Sequence, residues 1–264
     1  MNGSRVILAA HRGDRAKYPE NTMAAFVSSL ELGVDMIETD IRMTCDGELV
    51  LIHDRSAKRT AGVDVNIDEL TLAEVKELNV NVGFEDKGEA RIPTVREFIE
   101  LIKDTKILVN WEFKIYPNDF GEETAFEVVD KLIELLEEYG MTERSMVNSF
   151  SNKVLEYIYK KHGKRFPIHG QGIYKCRRTK DECAKDESEL FDWCCLYPSV
   201  VEKGVCAVDF KENFDYCKEH GVLPCICIAD NLDKYRLAIE YGCRMFTTNN
   251  IEECHKILCE LGVR

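Results

Sequence analysis

Short apolar runs alternate with longer amphipathic segments along the chain, and this alternation most restricts the fold. The runs are VILAAH (6–11), VDMIETDI (34–41), KILVNWEF (106–113), SMVNSF (145–150), PIHGQGI (167–173), VCAVDF (205–210), LPCICIA (223–229) and RMFTT (244–248). Such a pattern describes a parallel sheet with helices packed outside it. Eight repeats in 264 residues predict a (β/α)8 TIM barrel, a fold of about 250 residues. An open doubly wound sheet is the alternative, but the first run lacks the G-x-G-x-x-G turn of its dinucleotide-binding form.

The helical segments carry their own punctuation. Residues 22–32, 122–139, 211–220, 232–241 and 251–261 each run into a glycine, a common helix stop. Thr71 with Glu74 and Thr94 with Glu97 have capping-box spacing. Residues 174–204 are the least patterned connection, with at least one helix expected near 180–196.

A ninth run, ELVLIHD (48–54), follows the second strand too closely for a parallel crossover, which needs a dozen or more residues. Asp46-Gly47 reads as a hairpin turn. The second strand should run past the sheet, turn, and return, bringing His53 back to the strand end. The polar stretch 55–91 then reads as a small insertion over the barrel mouth, with one short helix, inside a single domain covering 1–264.

Active sites of this barrel lie at the C-terminal strand ends. The first strand delivers His11 and Arg12 there, the second Glu38 and Asp40, the hairpin His53 and Asp54, and the third Asn110, Glu112 and Lys114. Residues two apart share a strand face. Glu38, Asp40 and Glu112 therefore crowd three carboxylates into an interior where unpaired charge is costly. A divalent cation, Mg²⁺ or Ca²⁺, is the direct counter-charge, with these three as oxygen ligands. Arg12 and Lys114 suit a phosphate, one as a planar fork and one as a point charge. His11 and His53 come from different segments and suit a general acid and base. Taken singly, each of these pairs also reads as a surface ion pair or a turn cap. Together, at one end of strands predicted on other grounds, they describe metal-assisted phosphoester cleavage.

Charge and composition exclude other classes. A net charge of −13 disfavours nucleic acid and anionic membranes as partners. The sequence shows no export signal and no apolar stretch near 20 residues, so a cytoplasmic protein without stable membrane association is expected. The twelve cysteines lack CxxC pairs and zinc-like spacing, and read as reduced thiols used as small hydrophobes rather than as a metal store.

The motifs HRG (11–13), PENT (19–22), AF (25–26), GVDMIETDIRMTCDGELVLIHD (33–54), NWEFK (110–114) and NSF (148–150) resemble those of the glycerophosphodiester phosphodiesterase family, in order and spacing from residue 8 to about 150. The resemblance implies a TIM barrel with a small insertion, a divalent metal, and hydrolysis of glycerophosphodiesters to sn-glycerol 3-phosphate and an alcohol. Carried over by motif, it implies His11 and His53 as the acid–base pair, Glu38, Asp40 and Glu112 as metal ligands, and Arg12 and Lys114 on the phosphate of a small-molecule substrate. Glu20 is expected to brace a ligand or the His-Arg turn, a structural rather than a catalytic role, and Asn21 or Thr22 to cap a helix. Two stretches depart from the family pattern. CIAD (227–230) replaces a late Trp-Thr pair, and Thr248-Asn249 replaces a Thr-Asp ending; neither is expected to touch the catalytic set. The competing readings are a phospholipase of D or C type acting on lysophospholipids, and a non-catalytic barrel that binds phosphodiesters.

Overall fold

A computed structural model describes residues 5–174, 178–182, 184–196, 207–227 and 232–264. The strands are β1 (Ile7–His11), β2 (Met36–Met43), β3 (Leu49–Leu51), β4 (Leu108–Phe113), β5 (Ser145–Ser149), β6 (Ile168–Gln171), β7 (Trp193–Leu196), β8 (Leu223–Cys227) and β9 (Met245–Thr248). Eight of them form a parallel sheet in the order β1-β9-β8-β7-β6-β5-β4-β2, closed by pairing of β1 with β2. This is a (β/α)8 TIM barrel, as the alternation predicts.

A two-residue period sorts every strand. Leu8, Ala10, Ile37, Ile41, Val109, Trp111, Phe113 and Val147 point outward into the main core, against helix residues such as Phe26 and Phe98. The intervening positions point into the lumen, where Ala9, Met36, Met146, Cys195, Cys225 and Met245 form an apolar floor. Continuing that inward face toward the C-terminal ends reaches His11, Glu38, Asp40, Asn110, Glu112, Asn148, His169 and Thr247. The barrel thus fixes, by parity alone, which side chains meet above the floor.

The ninth run is the expected hairpin. β3 pairs antiparallel with β2, Ile41 opposite Leu51. Gly47, at φ +85°, closes the turn by donating to Thr44 O. The chain then returns beside β2, with Ile52 N donating to Asp40 O at 3.0 Å. Residues 55–91 hold more helix than expected: Lys58–Ala61 and Leu72–Glu77, plus single 3-10 turns at Ile67–Glu69 and Glu85–Lys87. They bury Ala57, Ile67, Val75 and Val80 against Val50 and Ile52 in a satellite core of their own. Both capping boxes form.

One strand assignment is wrong. Residues 207–210 of the run VCAVDF belong to a helix, Ala207–Glu219, and 205–206 lie outside the described residues. The strand between β6 and β8 is Trp193–Leu196, inside the region read as helical. A short apolar run does not distinguish strand from buried helix by periodicity, and the four-residue β7 is too short to display alternation. Its place is fixed by register, Cys195 opposite both Gln171 and Cys225.

Candidate active site

The site begins with a strained turn after β1. Arg12 has φ +62° and Asn21 φ +55°, conformations that cost a non-glycine residue about 1–3 kcal/mol. The surroundings hold them there. Arg12 N donates to Glu38 O (2.9 Å) and Glu38 Oε2 (3.1 Å), and Asn21 N donates to Arg12 O (2.9 Å). Gly13, at φ +79°, has room only for hydrogen, since a Cβ there would lie 2.8 Å from Ala25 Cβ. The turn aims the Arg12 guanidinium back across the barrel mouth.

Asp40 is the hub. It is fully buried, with Arg12 Nε at 3.0 Å, Lys114 Nζ at 3.2 Å and a hydrogen bond from Asn21 Nδ2 at 2.8 Å. Burial works against its charge, but Lys114 and Arg12 hold the carboxyl well below the usual range. Lys114 also bonds Glu112 and lies over the Phe150 ring. Glu38 has no such cation in contact. Burial first, then Asp40 and Glu112, push its carboxyl well above the ordinary value. Burial also raises Glu112, against the pull of Lys114.

The three carboxylates bring one oxygen each within 4.8 Å of the others. Among the described residues, Glu38 Oε1 is buried without a hydrogen-bond donor, and Asp40 Oδ1 has only the Lys114 ammonium beside it, at 3.2 Å. Three converging oxygen donors, with Glu38 Oε1 orphaned, match a hard divalent cation, which would satisfy that oxygen and reverse the upward push on Glu38. The residues present therefore fit the ion that the sequence calls for.

Both histidines line the same cavity of about 150 Å³, together with Arg12, Glu38, Glu112 and Lys114. Their partners differ. His53 Nδ1 lies 2.6 Å from Asp54 Oδ1, and the Arg42 Nε bond to His53 O fixes its backbone. His11 Nδ1 lies 2.6 Å from Asn249 Oδ1. The expectation that the Asn249 departure leaves the catalytic set untouched is thus incorrect. The β1–β9 register, Ala10 opposite Thr248, sets Asn249 beside His11. That neighbour was open to the same strand-end rule that found His11. Burial, then the adjacent Arg12 charge, lower the His11 imidazole to about 4. It is neutral near pH 7, with Nδ1–H donated to the amide and Nε2 free, 3.9 Å from Glu38.

Glu20 braces the turn as expected. It receives Arg12 (2.9 Å), Arg15 (2.8 Å) and Arg59 (2.6 Å). Burial opposes its charge, but the Arg59 hydrogen bond and the Arg12 and Arg15 charges draw it down to about 2. Arg59, unforeseen in the sequence, also bonds Asp54 at 2.5 Å, so the 55–91 segment supports His53 through its partner. Thr22 is the helix cap; Asn21 instead reaches Asp40. Asn110, Asn148, Phe150, Gln171, Cys227 and Thr247 complete the lining. Residues 228–230 of the CIAD stretch lie outside the described residues.

The mouth of this TIM barrel thus gathers three buried carboxylates, two cationic side chains and two imidazoles. Residues 11–253 match the sequence profile of the glycerophosphoryl diester phosphodiesterase family, and the chain belongs to that family. A glycerophosphodiester phosphodiesterase of Caldanaerobacter subterraneus subsp. tengcongensis is 40% identical over 162 residues, 59% of this chain and 63% of that protein. A human lysophospholipase D is 30% identical over 160 residues, 58% of this chain and 48% of that protein. These alignments span less than two thirds of either relative. Among solved structures, an Oleispira antarctica phosphodiesterase in complex with the product sn-glycerol-3-phosphate superposes with a TM-score of 0.80 at 18% identity, covering 97% of each chain.

Proposed function

We propose that this chain is a divalent-metal-dependent enzyme that hydrolyses glycerophosphodiesters to sn-glycerol 3-phosphate and an alcohol. One observation carries the reading: three buried carboxylates converge, with Glu38 Oε1 orphaned, and two of them, Glu38 and Glu112, line one cavity with two imidazoles. The product named for the Oleispira phosphodiesterase and the name of the Caldanaerobacter relative agree with it.

Glu38, Asp40 and Glu112 would hold Mg²⁺ or Ca²⁺, which when bound supplies charge neutralisation for a phosphoryl oxygen. Arg12 and Lys114 are the positive charges available to a phosphodiester, already positioned by Asp40. His11, neutral with Nε2 unprotonated, is equipped to take a proton from the nucleophile, either water or the adjacent glycerol hydroxyl. His53, hydrogen-bonded to the Asp54 carboxylate, is equipped to carry a proton to the departing alcohol. Attack by the glycerol hydroxyl forms a cyclic phosphate that water then opens. The segment 55–91 acts as part of a single domain and supports the cavity rim through Arg59.

The cavity of about 150 Å³ is well below the roughly 300–1,000 Å³ of drug-sized pockets. It suits a glycerophosphoryl group with its head group toward the mouth. No helix among the described residues is long and apolar enough to cross a membrane, and the net charge of −13 disfavours anionic lipid surfaces; we place the activity on small diesters in the cytoplasm. The test is glycerol 3-phosphate release from glycerophosphocholine and glycerophosphoethanolamine, with Mg²⁺, Ca²⁺ or EDTA. Release should require a divalent ion and fall to background in His11→Ala and His53→Ala. Faster turnover of lysophospholipid than of either soluble diester would move the assignment to the lysophospholipase D reading.

A further inference from the structure

Below the carboxylates, on the other side of the lumen, lies a second set of convergent donors. His169 on β6, Cys195 on β7 and Cys225 on β8 are buried, and bring one ligand atom each within 4.8 Å of the others. Cys225 Sγ lies 3.0 Å from His169 Nε2. Cys227, two residues along the same inward face, shares hydrogen bonds with both thiols and touches the floor of the cavity. Three donors from three neighbouring strands therefore meet, with Cys227 beside the two thiols and no carboxylate in the group. Sequence spacing could not reveal this, because zinc-motif rules describe ligands on one local knuckle, whereas these converge only when the barrel closes.

We propose that His169, Cys195 and Cys225 hold a zinc ion in the barrel lumen, with Cys227 in the fourth position. A tetrahedral site with Zn–S bonds of about 2.3 Å separates its sulfurs by about 3.8 Å, inside the observed spacing. Two thiolates and one neutral imidazole balance the charge of Zn²⁺, so this core enters a low-dielectric interior without net charge. The Asn110 amide is 2.9 Å from His169 Nδ1, and Asn110 Oδ1 is buried without a donor. Turned over, that amide accepts the Nδ1 proton and directs the Nε2 lone pair at the ion, the usual outer-shell arrangement of a ligating histidine. Binding releases the thiol protons to solvent, including the one Cys225 donates to Cys194 O at 3.2 Å.

The experiment uses the full chain, loaded with zinc and dialysed against Mg²⁺ and a moderate chelator. Metal content is read by mass spectrometry, and Co²⁺ is exchanged in as a spectroscopic probe. About one zinc per chain should remain in the parent protein and in Cys259→Ser, an exposed cysteine. It should fall at least tenfold in Cys195→Ser/Cys225→Ser. The parent Co²⁺ form should show a thiolate-to-cobalt charge-transfer band, weakened in Cys227→Ser. If the double variant does not fold, that band in the parent still decides the matter. Absence of the band, or zinc that leaves with Glu112→Gln and stays in the thiol variants, overturns the proposal and makes the thiols packing groups.

Discussion

Strands β1, β2 and β4 turn His11, Glu38, Asp40, Asn110, Glu112 and Lys114 inward, whereas β6, β7 and β8 turn His169, Gln171, Cys195, Cys225 and Cys227 into the same lumen. The backbone rule is identical in both halves. The electrostatics are not. The first half buries fixed charges, and each must be answered within a few ångströms; Asp40 shows this with Arg12, Lys114 and Asn21 around it. The second half buries groups that are neutral at ordinary pH and pack as small apolar side chains until something deprotonates them. One barrel thus holds a hard oxygen-donor side, where we place a divalent cation, and a sulfur-donor side whose thiols also pack without one. The two sides should fail differently when perturbed.

The largest expected effect lies in the charged half. His53→Ala should lower kcat by about 10²–10⁴-fold, the usual contribution of a general acid or base. It should leave the metal content of the thiol half unchanged. Steady-state kinetics beside metal analysis checks both, and loss of zinc together with activity would erase the distinction between the halves. Lys114→Met comes next. It strips a buried carboxylate pair of its cation, and breaking a buried ion pair costs about 3–5 kcal/mol. Denaturant melts should show that loss, and added Mg²⁺ or Ca²⁺ should recover part of it, because the ion replaces the missing charge at Asp40 and Glu112. A loss that divalent ions do not touch would argue against a cation site in this half.

What the sequence reveals follows the same division. His11, Glu38, Asp40, His53, Glu112 and Lys114 are conspicuous because charged residues are rarely found at alternate positions of buried strands, and a two-residue period places them without any tertiary information. Cys195 and Cys225 are conspicuous nowhere, because a cysteine in an apolar run reads as part of the core. Their proximity depends on β7, a strand too short to recognise, and on its neighbours' register. Asn249 falls between the cases. Its strand was found, but its relevance comes from the β1–β9 closure that sets it against His11. The run 205–210 resembles a strand and β7 does not for one reason: short apolar stretches carry no period. The Arg59 contribution rests on an insertion whose path no pattern encodes.

A smaller effect tests the brace at the rim. Glu20 has an ordinary value of 4.5 and is drawn to about 2, a difference of about 3 kcal/mol. Because the folded value is the lower one, that stability is fully present above about pH 4.5 and is lost as pH falls toward 2. Glu20→Gln should therefore destabilise the protein by up to about 3 kcal/mol at pH 6 and have little effect near pH 2. A pH-independent difference between parent and variant in urea melts would mean that Glu20 acts by shape rather than charge.

The smallest and most discriminating effect concerns Asn249, which β9 contributes at the seam where the two halves meet. His11 sits at about 4 because burial and Arg12 disfavour its cation, and the neutral amide 2.6 Å away adds no countercharge. Asn249→Asp would supply one. An adjacent carboxylate favours the imidazolium, so the His11 value should rise and the acid limb of kcat/KM should move to higher pH, by about one unit, with little change in the plateau. Stability should move in the matching direction. In the parent, the unfolded chain binds a proton near pH 6.5 that native His11 refuses until about 4, so stability falls across that window as pH drops. In the variant the window narrows and the loss on acidification shrinks. A pH–rate profile identical to the parent's would show that His11 does not set the acid limb.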